Sequence, residues 1–321
     1  MSSAWNNVFQ ILIEALSMPF SYLTEPHKRI HYLYLGSSLL LAFWVYKKQD
    51  IRKAFLSYLL PKSIWMSKST GVDVALLFVN SFVKVLLVSP LIIYGYYLAY
   101  WVNEYLVSTW GYTTSGLGEV QVIVLYTISL TVISDFASYV THYLMHRVPL
   151  LWEFHKTHHS ATSLNPLTQY RLHPVELIIN NIRNILVIGF VTGLFNYLSM
   201  SQIDKLTFLG VNVFSFTFLF FGANLRHSHV KLSYFNWLEY CLISPFQHQI
   251  HHSNEPDHFN KNMGAKFAIW DWIFGTLKRS RQVSNLQFGL GEEDKHYDTP
   301  LKNLLIPFWM VYESTTRLLK R

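Results

Sequence analysis

Eight histidines stand in three runs: His142 and His146 as HxxxH, His155, His158 and His159 as HxxHH, and His248, His251 and His252 as a second HxxHH. On an α-helix, positions i and i+4 lie roughly 40° apart and positions i and i+3 roughly 60° apart on the other side. Each run is therefore expected to project its imidazoles from one helix face toward one point. Neutral imidazole is the commonest nitrogen ligand for iron, zinc and copper. Eight such rings exceed what one tetrahedral zinc uses and suit two ions with several ligands each. Spacing alone leaves iron and zinc both open. The runs lack the Glu and Glu-x-x-His pairs of carboxylate-bridged di-iron bundles. An all-imidazole site is strongly cationic and calls for acidic residues to accept the outward ring N–H groups. The candidates are Asp135, seven residues before His142 on the same helix face, and Glu176, Glu239 and Asp271. Asp135 is the acidic residue assigned to the catalytic site. The single cysteine, Cys241, rules out a disulfide framework, a cysteine-based metal site and an iron–sulfur cluster.

The elements that must position these residues are apolar. Of 321 residues, 51% are hydrophobic and only 14% charged, against about 25% charged in soluble domains. Mean hydropathy is +0.20, and aromatic residues, which favour the membrane–water interface, reach 17%. A spanning helix needs about 20 mostly apolar residues. Candidates are Ile30 to Tyr46, Val72 to Trp101 with a kink at Pro90, Gln121 to Val140, and a hairpin of Leu177 to Tyr197 with Leu206 to Asn224. Lys84, inside the second, is expected to snorkel or face the interior. Trp5 to Leu23 reads as an interfacial helix or a marginal span rather than a signal peptide, and Leu301 to Leu319 as an amphipathic surface helix. The stretch from Lys47 to Thr70 is basic, whereas Val102 to Val120 has no Lys or Arg. The positive-inside rule puts the first in the cytoplasm and the second outside, which brings both histidine-rich stretches to the cytoplasmic face. The fold class is thus all-α integral membrane, with about four to five transmembrane helices and a cytoplasmic helical cap holding a histidine-rich dinuclear metal site. The net charge of +7 suits an anionic membrane surface. With no basic low-complexity run, nucleic acid is not expected as a partner.

The string SDFASYVTHYLMHRVPLLWEFHKTHHS, from Ser134 to Ser160, resembles the core signature of the fatty acid hydroxylase/sterol desaturase superfamily. RLHPVE from Arg171 to Glu176, SPFQHQIHHS from Ser244 to Ser253, and NMGAKFAIWDWIFGT from Asn262 to Thr276 are similar to its later blocks, in order. The resemblance implies a catalytic domain at 121–280, preceded by membrane helices and a basic connector at 1–120 and followed by an amphipathic tail at 281–321. It implies a di-iron centre whose ligand motifs His142, His146, His155, His158, His159, His248, His251 and His252 match. His227 sits where the family places a further ligand and is favoured over His229. His173 is either a ligand or a residue that supports the site and caps a helix.

The expected function is hydroxylation or desaturation of a lipid, such as a sterol or fatty acyl lipid, with two iron ions (zinc in a purified form) and O2 as co-substrate. Electrons must come from a separate donor, cytochrome b5-like or ferredoxin-like. A zinc-dependent hydrolase and a metal transporter or sensor are the alternatives; a transporter would place its ligands near mid-membrane. The membrane is a bacterial inner membrane or the endoplasmic reticulum. Among the remaining residues, Arg171 is expected to pair with Glu176 or Asp135, Asn165 to shape a turn, His258 to be solvated, and Cys241 to be packed.

Overall fold

The computed structural model describes residues 3–112, 116–199, 205, 207–208 and 210–319. Helices dominate: α1 (Ser3–Ser21), α2 (Tyr32–Lys48), α3 (Phe55–Leu59), α4 (Lys62–Trp65), α5 (Lys68–Val83), α6 (Ile93–Trp110), α7 (Glu119–Arg147), α8 (Pro149–His159), α9 (Pro174–Ser199), α10 (Val213–Phe220), α11 (Pro245–His251), α12 (Ile269–Ile273) and α13 (Pro300–Leu319). Among the described residues the paired strands are one small antiparallel hairpin, β1 (Thr207–Phe208) with β2 (Val211–Asn212).

Three segments among the described residues are long and apolar enough to cross a membrane: Lys68–Trp110, Glu119–Arg147 and Pro174–Ser199. Most of their side chains face outward, as lipid-facing helices require. The chain is an integral membrane protein. The first segment joins α5 to α6 through a π turn at Lys84–Val88 and a 3-10 turn at Ser89–Leu91. Pro90 lacks the N–H that a regular helix needs there, so the ladder shifts around it. At 17 residues, α2 is short for a span. Of the expected span from Leu206 to Asn224, Leu206 and Leu209 lie outside the described residues, and the described remainder is not a continuous helix. The hairpin fills its start, Asn212 caps α10 by accepting from the N–H groups of Phe214 and Ser215, and Gly222 at φ 97° turns the chain out of it.

Two packings fix which ends of the spans meet. Helix α6 runs parallel to α9: Gly95 lies beside Ile185 and Gly189, and Ala99 beside Gly193. Without a hydrophobic force between helices in lipid, small residues that let backbones approach hold such pairs. A Cβ on Gly193 would sit 2.5 Å from the Ala99 carbonyl oxygen. Gly193→Ala is therefore expected to cost about 1–3 kcal/mol, read as an earlier unfolding midpoint in detergent; a midpoint equal to the parent's would count against this packing. Helix α7 runs antiparallel to α9, with the Tyr126 and Thr192 hydroxyls 2.8 Å apart at one end and His155, just beyond α7, facing Glu176 at the other.

Asp73 near the start of α5 meets Arg171 just before α9. The starts of α5 and α9 and the end of α7 therefore share one side, where the cap is built. Helix α13 closes that cap by packing on α8, with Phe308 against Phe154, while Leu301, Leu305, Trp309 and Tyr312 stay exposed along one apolar face that suits a membrane surface.

Candidate metal centre

The two HxxHH runs do not each point to one place. His142, His146, His155, His159 and His251 form one group and His158, His227, His248 and His252 another, with the ring nitrogens of each group within 4.8 Å of one another. The split follows from helix geometry. Consecutive residues lie about 100° apart around the axis, so the i, i+4 pair His155 and His159 faces one group while His158 faces the other. The second run does the reverse: His248 and His252 face the second group and His251 the first. Each run serves both groups, and the rings of His159 and His252 stack across the divide at 4.7 Å.

The short helices that carry these rings are fixed at their starts. Pro149 and Pro245 open α8 and α11, where a missing N–H costs nothing. Ser244 and Gln247 form a reciprocal capping box, 3.2 and 2.9 Å. Backbone carbonyls then orient the rings. Nδ1–H of His142 donates to Met263 O (2.8 Å), that of His251 to Lys261 O (2.8 Å), and that of His158 to Arg171 O (3.2 Å). His155 Nδ1 faces Glu176 Oε1 at 3.0 Å. A proton held on Nδ1 leaves Nε2 with its lone pair inward. His248 is the exception. The Arg226 guanidinium, which only donates, gives a 2.8 Å hydrogen bond to its Nδ1. That places the neutral ring's proton on Nε2, which must shed it to hold a cation.

The inward nitrogens fit metal. In the second group Nε2–Nε2 separations run 3.1–3.4 Å, and nitrogens about 2.0–2.1 Å from one ion stand roughly 3.0–3.4 Å apart. In the first group, Nε2 of His146, His159 and His251 are buried without a hydrogen-bond partner. An unsatisfied buried polar atom costs about 1–3 kcal/mol, so three converging at one point mark the place of a ligand. Burial lowers His155 and His158 to about 3 and holds His159, His227, His248, His251 and His252 well below the usual histidine range. The rings are neutral near pH 7, as ligation demands. One cavity of about 480 Å³ reaches His146, His159 and His251 from beside Trp152 and Glu293. A second, of about 390 Å³, reaches His142, His155, His158, His227 and His248 from the other side.

The structure brings nine of the ten histidines assigned to metal into these groups. His173 lies outside them, flanked by Phe154 and Phe308. Its Nδ1 accepts from Val175 N at 3.1 Å, capping α9, and its Nε2 donates to Leu304 O at 3.2 Å. His229 also lies outside, its ring edge-on to Tyr58. Asp135 touches no histidine: its carboxylate accepts from Lys266 N, Phe267 N and Trp270 Nε1 at 2.9–3.1 Å. Asp271 accepts from Met263 N, Gly264 N and the Thr276 hydroxyl. The two acids thus shape the 262–271 loop, and only through the Met263 carbonyl does that loop reach His142. A Cβ on Gly264 would lie 2.4 Å from Phe267 O, so only glycine fits that turn. Glu239 holds Ser244 and Ser280. Of the four acids, Glu176 alone faces a ligand-type ring.

Other placements differ from the reading of the sequence. Arg171 pairs with Asp73, 3.3 Å away, rather than with Glu176 or Asp135. His258 is buried, with Nδ1 3.0 Å from Ser253 Oγ, and Cys241 is exposed. Asn165 does shape its turn, accepting from Leu167 N, and also donates to Asp73. Lys84 faces the interior and donates to the Tyr22 hydroxyl at 2.9 Å. Spacing gave no signal for the carbonyls of Met263 and Lys261.

Fold and site define a helical membrane protein with two adjacent histidine groups able to hold metal, at one end of its spans. Residues 127–276 match the family model for fatty acid hydroxylase. Human cholesterol 25-hydroxylase is 31% identical over 150 residues, 45% of this chain and 48% of that protein. Ornithine lipid hydroxylase OlsE of Rhizobium tropici is 29% identical over 164 residues, 50% of this chain and 44% of that protein. Human alkylglycerol monooxygenase is 25% identical over 185 residues, 56% and 37% of the two chains. The matched region spans less than half the length of each of these relatives, and no solved structure matches. Just under half of the chain is thus similar to the fatty acid hydroxylase family.

Proposed function

We propose that this chain is a membrane-bound oxygenase that hydroxylates a lipid, using O2 and two iron ions. His142, His146, His155, His159 and His251 hold one ion, and His158, His227, His248 and His252 the other. The observation that carries this reading is the pair of interleaved groups, nine buried or half-buried rings whose ligand-type nitrogens converge within 4.8 Å in each group, three of them, on His146, His159 and His251, buried without a partner. A hydrolytic zinc site needs three protein ligands and an open position, which leaves most of these rings unexplained. The relatives named above are two hydroxylases and a monooxygenase, which favours hydroxylation over desaturation.

Iron bound there supplies the activation of O2 and the removal of hydrogen from an unactivated C–H bond. The protein's part is positional. The Met263, Lys261 and Arg171 carbonyls keep the Nδ1 protons of His142, His251 and His158 outward, and the Glu176 carboxylate lies 3.0 Å from His155 Nδ1. The substrate reaches His142, His155 and His158 through the cavity between the spans, from the bilayer side. The cap faces the cytoplasm, where the basic 47–70 stretch meets a separate, acidic electron donor. Lipid extracts of cells making the chain are expected to contain a species heavier by one oxygen atom that is absent from cells making a His155→Ala variant. A species lighter by two hydrogens would instead assign desaturation, and identical extracts would overturn the oxygenase.

A further inference from the structure

The cavity that reaches the histidines from between the spans is cationic. Five formal cations line it, Lys28, Arg29, Lys84, Arg183 and Arg226, against one carboxylate, Glu176. Two are already engaged: Lys28 lies 3.6 Å from Glu25, and Arg226 donates to the carbonyls of Gly264 and Ala265 and to His248. The other three have no carboxylate within ion-pair distance among the described residues. Lys84 leaves its regular helix at the π turn and lodges between the rings of Tyr22 and Tyr170, 5.0 and 5.8 Å from their centroids. Arg183 donates only to the amide oxygens of Asn180 and Asn184. With Glu176 and Asn180 it forms an i, i+4, i+7 polar stripe on a spanning helix whose other residues are uncharged. Arg29 makes no side-chain hydrogen bond among the described residues.

Ionisable residues inside spans are expensive and face a partner or a path. Here three come from separate parts of the chain, the loop after α1, the α5–α6 joint and α9, to one cavity with the metal-facing rings. One carboxylate, already against His155, does not balance them. A guanidinium matches phosphate oxygens in bidentate fashion, and an ammonium adds a point charge. We infer that this cavity binds the headgroup of a phosphate-bearing lipid, with Arg29, Lys84 and Arg183 as its contacts. This rests on the oxygenase reading for the purpose of the site, and it names the class of substrate. At about 390 Å³ the cavity admits a headgroup and the first carbons of a chain, so the rest of the tail runs out along the exposed apolar faces of the spans.

Binding tests this without turnover. The full-length protein in neutral detergent, without reductant, is titrated with dodecanoyl lysophosphatidate, with dodecanoyl monoglyceride as its uncharged counterpart, and with inorganic phosphate. Saturable binding of the lysophosphatidate, roughly 10-fold or more tighter than the monoglyceride, is expected. Arg29→Gln and Arg183→Gln are each expected to weaken the lysophosphatidate by roughly 10-fold or more while leaving the monoglyceride unchanged, and Arg29→Lys to recover most of the loss. Arg29 lies in a loop, so its variants report even if Arg183→Gln does not fold. Equal affinity for the charged and uncharged lipids, or glutamine variants that keep the preference, would overturn the inference. Inorganic phosphate binding as tightly as the lysophosphatidate would also overturn it, by showing a free-anion site. Charge-selective lipid binding by a protein that leaves cell lipids unoxidised would support the inference while sinking the oxygenase.

Discussion

His251→Ala and His252→Ala, adjacent in sequence, are expected to empty different metal positions. Removing His251 takes a ligand from the group of His142, His146, His155 and His159, while removing His252 takes one from the group of His158, His227 and His248. Loss of a residue that merely supports a ligand lowers metal affinity by about 10–100-fold; loss of the ligand itself is expected to exceed that at the affected position. Each variant should retain close to half the parent's metal per chain after dialysis against a weak chelator. The retained ion should also differ: X-ray absorption should show the four-histidine environment in His251→Ala and the five-histidine environment in His252→Ala. If each HxxHH run fed a single ion, the two variants would be indistinguishable. Identical absorption edges and identical stoichiometry would therefore sink the interleaved arrangement. Alanine at His173 gives the contrast. Its ring caps α9 and packs on Phe154 and Phe308, so it should lower stability and leave the metal count unchanged.

That contrast marks where local spacing stops informing. Which histidines gather was legible, because HxxxH and HxxHH put rings on adjacent faces of a helix whatever surrounds them. How they divide was not, because each run's angular spread of about 100° between neighbours resolves into two targets only once α8 and α11 face each other. Of the acid candidates Glu176 does face a ring of the site, His155, while Asp135 does not, for a related reason. Asp135 shares a helix face with His142, but the 262–271 loop comes between and consumes its carboxylate with two backbone N–H groups and an indole. The groups that do orient His142 and His251 are carbonyls of Met263 and Lys261, which residue identity does not encode. Hydropathy located the three long spans. It overstated the segment from Leu206 to Asn224 because an apolar window does not weigh the Asn212 cap or the turn at Gly222. Long-range charge was the least legible of all. Arg171 meets Asp73 across 98 positions, and Arg29, Lys84 and Arg183 converge only in three dimensions.

Arg171→Met is expected to be among the most destabilising single changes in the cap. The guanidinium is 1% exposed and its partner carboxylate, Asp73, fully buried, 3.3 Å away. It also donates to the carbonyls of Ser69, Thr157, Ser160 and Tyr297 and to the hydroxyls of Ser69 and Ser160. One side chain thereby ties the start of α5 to the end of α8 and to the chain entering α13. Methionine fills similar volume and strands the charge on Asp73, and breaking a buried pair from one side costs about 3–5 kcal/mol. At roughly 2–4 °C per kcal/mol, that is a fall in Tm on the order of 10 °C. Asp73→Asn keeps the amide and hydroxyl contacts of Asn165 and Thr168 within reach and should cost less. The double variant, which leaves no buried charge, should be more stable than Arg171→Met alone. Because the Arg171 carbonyl also takes the Nδ1 proton of His158, loosening this segment should weaken the four-histidine group before the other. Thermal melts of metal-free and metal-loaded protein separate the two effects. The metal-free form reports the charge pair, and a larger Tm deficit in the loaded form reports the lost orientation of His158. An Arg171→Met protein that melts with the parent would mean the ion pair holds nothing the surrounding hydrogen bonds do not already hold.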